Sequence, residues 1–301
     1  MRGGGRVAGV TLEQVRGTYK KRDSWWTVLL VDPLAGQLVR LFVGQRWITP
    51  TRLTVAAFLL GLGAAAAFLQ ADPAWLVAGA VLYYVGFTVD CVDGKIARLR
   101  GDGTVLGSWL DFVLDRVRVF LVVLALFGGQ YLATGNDLFL FTAVAVVFLA
   151  LIGYLNGAEI DQIRRRMARN DAGGAADGDP GAAAMPSTLA RIRRALHRRR
   201  IRMNLVSGVE FEMALFVVAP LVAAAAGPAA ILVVVVVAAA LLVLFEAALM
   251  ARFVKQARSY DRRIRAVRPP APRLATPTRT DGRTDGRADD RTGDRAAHPA
   301  G

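Results

Sequence analysis

The sequence predicts an all-α integral membrane protein, six transmembrane helices in three hairpins preceded by an interfacial amphipathic helix, and three observations carry that prediction. Hydrophobic residues make up 54% of the 301 and mean hydropathy is +0.38, although the formal net charge is +14, a combination that soluble domains rarely show. Six stretches approach the roughly 20 apolar residues that a span needs. The basic residues are also segregated. The connections at 71–74 (ADPA), 131–137 (YLATGND) and 226–229 (AGPA) hold no Lys or Arg, whereas residues 1–49 hold eight, 95–100 three, 158–204 eleven and 252–301 thirteen.

Residues 1–47 read as a cytoplasmic N-terminus followed by the interfacial helix. No apolar run ending in a small-residue cleavage site is present, so no cleaved signal peptide is expected. In "SWWTVLLVDPLAGQLVRLFVG", residues 24–44, paired tryptophans and apolar residues at helical spacing surround Arg40, the pattern of a helix lying at headgroup level. Asp32, Pro33 and Arg40 interrupt it as a span.

The membrane domain is expected over 48–255, with spans at 50–70, 73–98, 107–133, 136–158, 205–226 and 228–253. By the positive-inside rule both termini, and the charged connections, face the cytoplasm, which implies a multi-pass protein of the cell membrane. A cytoplasmic loop over 160–204 joins the fourth and fifth spans. Its "NDAGGAADGDPGAAAMPS" is low in complexity and reads as flexible, and the following "TLARIRRALHRRRIRMN" is a basic helix suited to anionic lipid. The tail, 256–301, has too little apolar content from Pro269 onward to build a core and is expected to be disordered.

Cys91 is the sole cysteine, which excludes an intramolecular disulfide. The basic balance without a recognisable nucleic-acid motif points to membrane lipid as partner, not nucleic acid.

Within the second and third spans, "VDCVDGKIARLRGDGTVLGSWLDFVLDR" holds Asp90, Asp93, Asp111 and Asp115. A charge at the centre of a bilayer helix costs roughly 2.5–3.5 kcal/mol on insertion scales, so such residues have partners. Spacings of three and four put each pair on one helix face, and two faces can converge four carboxylates. Trp75 to Val89 is fifteen residues, about 22 Å of helix at 1.5 Å per residue. That is short of the ~30 Å hydrocarbon thickness and leaves the aspartates just beneath the cytoplasmic surface.

Hard divalent cations, Mg2+ or Mn2+, prefer oxygen ligands and bind beside phosphates. His197 and His298 are remote in sequence and Cys91 is expected to point off the Asp90/Asp93 face, which disfavours zinc. Gly94, Ala97 and Gly107 leave room near the carboxylates for a bulky ligand such as a nucleotide. Lys95 and Arg98 can supply positive charge to phosphates at its mouth, or serve as ordinary flanking charge.

The spacing Asp90, two residues, Asp93-Gly94, two residues, Ala97-Arg98, eight residues, Gly107, three residues, Asp111, three residues, Asp115 resembles the signature of the CDP-alcohol phosphatidyltransferases. "ITPTRLT" at 48–54 is also similar to that family's opening of the first span, and the resemblance extends over roughly 45–255. It implies transfer of a phosphatidyl group from CDP-diacylglycerol to the hydroxyl of a small alcohol with release of CMP. It also implies two Mg2+ or Mn2+ ions shared by Asp90, Asp93, Asp111 and Asp115, with Asp115 as general base. Gly94, Ala97, Arg98 and Gly107 would line the CDP pocket, and the protein would form a homodimer.

The acceptor is open. "GYLNGAEIDQIRRR" ends the fourth span without a basic residue before Arg164, and "SGVEFEM" opens the fifth. Asn156, Glu210 and Glu212 are therefore acceptor-pocket candidates that favour a neutral or cationic alcohol. Glu210 and Glu212 do not share a helix face, so at most one is expected to look inward; pairing of both with the arginine-rich segment is an equal alternative. Arg116 and Arg118 could instead contact a phosphorylated acceptor such as glycerol 3-phosphate or inositol phosphate. Two other classes fit less well. Membrane prenyltransferases have more spans and lack the Gly and Ala-Arg positions, and transporters place their carboxylates near the midplane, commonly in broken helices.

Overall fold

The computed structural model describes residues 11–170, 191, 195–196, 198–202 and 206–267. The stretch expected to be flexible, most of the basic helix after it, the tail expected to be disordered, His197 and His298 lie outside the described residues. The chain divides into two units, Met1–Ala257 and Arg258–Gly301.

The described residues form helices: α1 (Leu12–Gly17), α2 (Asp32–Phe42), α3 (Pro50–Phe68), α4 (Pro73–Arg100), α5 (Val105–Thr134), α6 (Leu138–Asn170), α7 (Gly208–Ala226) and α8 (Ala229–Val267). α3, α4, α6, α7 and α8 are long and apolar enough to cross a membrane. α5, expected as the third of six spans, is 30 residues long but is not among them; its first half carries Asp111, Asp115, Arg116 and Arg118.

The helix boundaries follow from local chemistry. Pro50 and Pro73 sit in the first turns of α3 and α4, where a missing N–H is harmless. The preceding Thr49 and Asp72 accept from the amides of Arg52 and Ala74, satisfying donors that have no partner in the helix. Thr104 caps α5 by accepting from the Gly107 amide at 2.9 Å. α4 stops at Gly101 with φ +69°, a left-handed residue that lets the chain reverse within four residues so that the second aspartate pair follows the first.

α3 is the centre of the packing, with α4 and α5 both against it; α4 also meets α2 and α7, and α6 packs on α5. Close approach is bought with small residues. A Cβ at Gly129 of α5 would lie 2.6 Å from the Phe68 carbonyl oxygen at the end of α3. Phe68, Tyr83, Phe127, Phe139 and Phe216 are fully buried, whereas Phe141, Val144, Phe148, Val233, Val236 and Leu244 are exposed, the outward apolar face expected of helices solvated by lipid.

The segment expected to be an interfacial helix is helical over 27–42, a π-turn at Thr27–Val31 leading into α2. Leu29, Leu30, Leu34 and Leu41 are exposed on it. Asp32, read from the sequence as an interruption, lies on the buried face with Val31, Ala35 and Val39. Arg100, at the end of α4, holds this segment in place. Its guanidinium donates to the carbonyls of Phe42, Val43, Gln45 and Ile48 at 2.7–3.2 Å, which satisfies the carbonyls left over where α2 ends. From the basic stretch, the amide of Arg202 donates to the Asp23 carbonyl and the Asp23 amide donates to the Arg200 carbonyl, both at 2.9 Å. That end of the loop is therefore pinned to the N-terminal segment.

Candidate active site

α4 carries Asp90 and Asp93 and α5 carries Asp111 and Asp115, as the helical spacing predicts. Asp90, Asp93 and Asp111 each offer an oxygen within 4.8 Å of the others. Asp115 is engaged elsewhere, accepting an ion pair from Arg118 Nη2 at 2.8 Å, while Arg118 Nη1 lies 3.6 Å from Asp90 Oδ1. Arg118, offered by the sequence as a contact for an acceptor phosphate, is 3% exposed and serves here as the counter-charge of the carboxylates.

Arg118 fits because α3 has no side chain at Gly61: a Cβ there would lie 2.5 Å from Arg118 Cγ and Cδ. The guanidinium also lies 5.9 Å from the centre of the Tyr83 ring, and the Tyr83 hydroxyl donates to Glu212 Oε1. Glu212 thus joins the network around the aspartates, and Glu210 does not. Glu210 accepts from the backbone and hydroxyl of Ser207 and from the Trp25 amide, a helix cap and a tether for the N-terminal segment. Neither glutamate pairs with the arginine-rich stretch among the contacts described.

Thr54 was not anticipated. Its hydroxyl donates to Asp93 Oδ2 at 2.5 Å and orients that carboxylate from α3. The signal was available in "ITPTRLT", where Thr54 lies one turn after Pro50, but its partner is 39 residues away.

The donor set suits a hard divalent cation. The buried Oδ1 atoms of Asp90 and Asp111 have no hydrogen-bond partner, and three carboxylates this close repel one another unless a cation joins them. Oxygen-only ligands of this kind suit hard cations such as Mg2+ or Mn2+. Cys91 is not part of this cluster, although it helps line the smaller cavity described next.

Two cavities share Asp93, Gly94, Arg98 and Asp111. The larger, of about 720 Å3, is walled by Thr49, by Pro50, Thr51 and Thr54 of α3, by Ala97, by the 101–104 turn, and by Gly107 and Ser108 at the start of α5. The four positions expected to line a CDP pocket, Gly94, Ala97, Arg98 and Gly107, are brought together here. The smaller, of about 230 Å3, is walled by Lys20, Asp23, Thr27 and Asp32 of the N-terminal segment and by Asp90, Lys95 and Asp115.

Lys95 is not free at the mouth of the larger cavity as an unpaired flanking charge. It is 5% exposed, its Nζ lies 3.2 Å from Asp32 Oδ1 and donates to the Cys91 carbonyl. Asp32 Oδ2 accepts from Arg200 at 3.0 Å, and the Tyr19 hydroxyl donates to the Asp32 carbonyl oxygen. Burial, and then the Asp32 charge, raise the Tyr19 phenol above its ordinary value, so it remains a donor. Arg98 donates through Nε to the Thr18 carbonyl at 2.9 Å while lining both cavities.

The other acceptor candidates are not at the aspartates. Asn156 Nδ2 donates to Glu246 Oε2 at 2.8 Å, linking α6 and α8, and Glu246 was not singled out by the sequence. Arg116 lies over the rings of Tyr154 and Phe112, 5.1 and 6.0 Å from their centres. None of Asn156, Glu210 and Arg116 lines either polar cavity.

A helical scaffold with apolar spans and a carboxylate cluster beside a large cavity defines a class, and comparison with known proteins gives what it resembles. Residues 47–176 match the model of the CDP-alcohol phosphatidyltransferase family. Among similar proteins, phosphatidylinositol phosphate synthase of Corynebacterium glutamicum is 34% identical over 89 residues, 30% of this chain and 37% of that protein. Human ethanolaminephosphotransferase 1 is 28% identical over 145 residues, 42% of this chain and 35% of that protein. The chain thus spans little more than a third of the length of either relative. The crystal structure of Mycobacterium tuberculosis phosphatidylinositol phosphate synthase with CDP-DAG bound superposes with a TM-score of 0.45 at 19% identity, covering 74% of this chain and 93% of that one.

Proposed function

We propose that this chain transfers a phosphatidyl group from CDP-diacylglycerol to the hydroxyl of a small alcohol and releases CMP. The observation that carries the reading is the convergence of Asp90, Asp93 and Asp111 at the edge of a cavity lined by Gly94, Ala97, Arg98 and Gly107. The acceptor oxygen forms a bond to the lipid-side phosphorus of the diphosphate. The bond from that phosphorus to the bridging oxygen breaks, and CMP departs with that oxygen and its electron pair. Asp115 takes the hydroxyl proton; Arg118, one turn further along α5, pairs with it in this structure. Asp90, Asp93, Asp111 and Asp115 are the residues that would hold two ions of Mg2+ or Mn2+. Such ions supply charge to the diphosphate and its departing oxygen when bound.

The smaller cavity is the acceptor's side in this reading. Its volume suits a small polyol or amino alcohol, and it opens onto Asp90 and Asp115. Lys20 and Arg98 on its wall favour a phosphorylated acceptor such as glycerol 3-phosphate or inositol phosphate, while Asp23 favours a neutral or cationic one. The similar proteins point both ways: one is named for phosphatidylinositol phosphate and one for ethanolamine. Six spans with both termini and the site facing the cytoplasm of the cell membrane, and assembly as a homodimer, complete the proposal.

The test is CMP release by purified protein in detergent with CDP-diacylglycerol, Mg2+ or Mn2+, and a panel of alcohols and phosphorylated alcohols. One acceptor is expected to release CMP well above the others, and chelation to abolish it. Asp115→Asn is expected to lower release by about 10^2- to 10^4-fold; full activity in that variant, or no release with any acceptor, would sink the assignment.

A further inference from the structure

The four carboxylates of the site are not equivalent. Three face one another, and the fourth is already occupied by a cation that belongs to the chain. Arg118 keeps its proton in any protein environment, so its charge cannot be removed by burial. Its Nη2 is 2.8 Å from Asp115 Oδ1 and its Nη1 3.6 Å from Asp90 Oδ1. The stem is fixed against Gly61, where nothing but a hydrogen would fit. We propose that Arg118 is a resident cation that reserves Asp115, so that the chain binds one divalent ion tightly on Asp90, Asp93 and Asp111 and admits a second only when Arg118 releases Asp115. The inference rests on the metal site proposed above and deepens it, because it divides the four carboxylates into a permanent and a conditional set.

The surroundings of Arg118 provide for that release. Its Nε is buried without a hydrogen-bond partner, so the guanidinium has unused donor capacity. Beyond it lie the face of Tyr83 at 5.9 Å and Glu212, whose described hydrogen bond is with the Tyr83 hydroxyl. Glu212 is a second carboxylate toward which Arg118 can turn when a dication takes Asp115, and Tyr83 offers a ring face along the way. A diphosphate entering the larger cavity brings negative charge to the same place and favours the second ion. Arg118 is thus a positioning residue that acts through Asp115.

Metal stoichiometry separates this role from a merely structural one. Full-length protein in detergent is titrated with Mn2+, and free ion is read by electron paramagnetic resonance with and without CDP. Wild-type protein is expected to bind one ion tightly and a second at least tenfold more weakly, the gap narrowing when CDP is present. Arg118→Met is expected to bind two ions of similar affinity. Asp115→Asn, checked for folding by its thermal midpoint and gel-filtration profile in detergent, is expected to keep the tight ion with unchanged affinity and lose the weak one, whereas Asp93→Asn loses the tight one. Two equal tight ions in the wild type, or a tight ion weakened as much by Asp115→Asn as by Asp93→Asn, would overturn the inference while leaving the transferase reading intact. No Mn2+ bound at any concentration that supports CMP release would overturn both the inference and the metal site it rests on.

Discussion

A charge inside an apolar bundle persists only where another charge or several dipoles answer it, and Asp32 illustrates the rule outside the aspartate cluster. Lys95 and Arg200 answer it at 3.2 and 3.0 Å, and both Asp32 and Lys95 are nearly inaccessible. Removing one partner of such a pair leaves the other buried and uncompensated, at a cost of about 3–5 kcal/mol. Asp32→Ala is therefore expected to lower the thermal midpoint of the detergent-solubilised protein by several degrees, and an unchanged midpoint would refute the pairing. The sequence revealed Asp90, Asp93, Asp111 and Asp115 because three- and four-residue spacings are local and periodic. It could not reveal that Asp32 answers Lys95, 63 positions on, or that Arg118 answers Asp115, since a basic residue near a membrane surface has many possible partners. Asp32 did carry a signal, being an acid inside an apolar helix.

Helix α3 contributes no charge to the aspartate cluster, yet it decides where the charges go. Thr54 orients Asp93, and the bare backbone at Gly61 makes room for Arg118. Two glycines on this helix should then behave differently. A Cβ at Gly63 would meet only Leu82 Cδ1 at 3.6 Å, an ordinary contact, so Gly63→Ala is expected to be neutral or to gain up to ~1 kcal/mol from helix propensity. Gly61→Ala must move Arg118 and is expected to cut CMP release at least tenfold. Equal behaviour of the two variants would count against the notch. Element boundaries were largely readable, because Thr49-Pro50, Asp72-Pro73 and Gly101 punctuate the chain by local rules. The π-turns at Thr27–Val31 and Ala214–Val218 were not, since a turn of one extra residue leaves no mark in hydrophobic periodicity.

At the scale of the molecule, the charge asymmetry of the connections predicts sidedness. Single cysteines at Gly135 or Gly227, in a Cys91→Ala background, are expected to react with a membrane-impermeant thiol reagent applied to intact cells. A cysteine at Asp102 should react only after permeabilisation, and the reverse pattern would invert the orientation. The two cavities have a further consequence. Both open onto Asp93 and Asp111, but one is walled by α3 and the other by the N-terminal segment, so under the proposed transfer donor and acceptor would have separate doors to one phosphorus. With both substrates present at once there is no need to park the phosphatidyl group on the protein. The reaction should invert the configuration at phosphorus, so a donor made chiral there with sulfur in place of one oxygen is expected to give the mirror-handed product. Retention would mean two successive displacements and a covalent halfway stage.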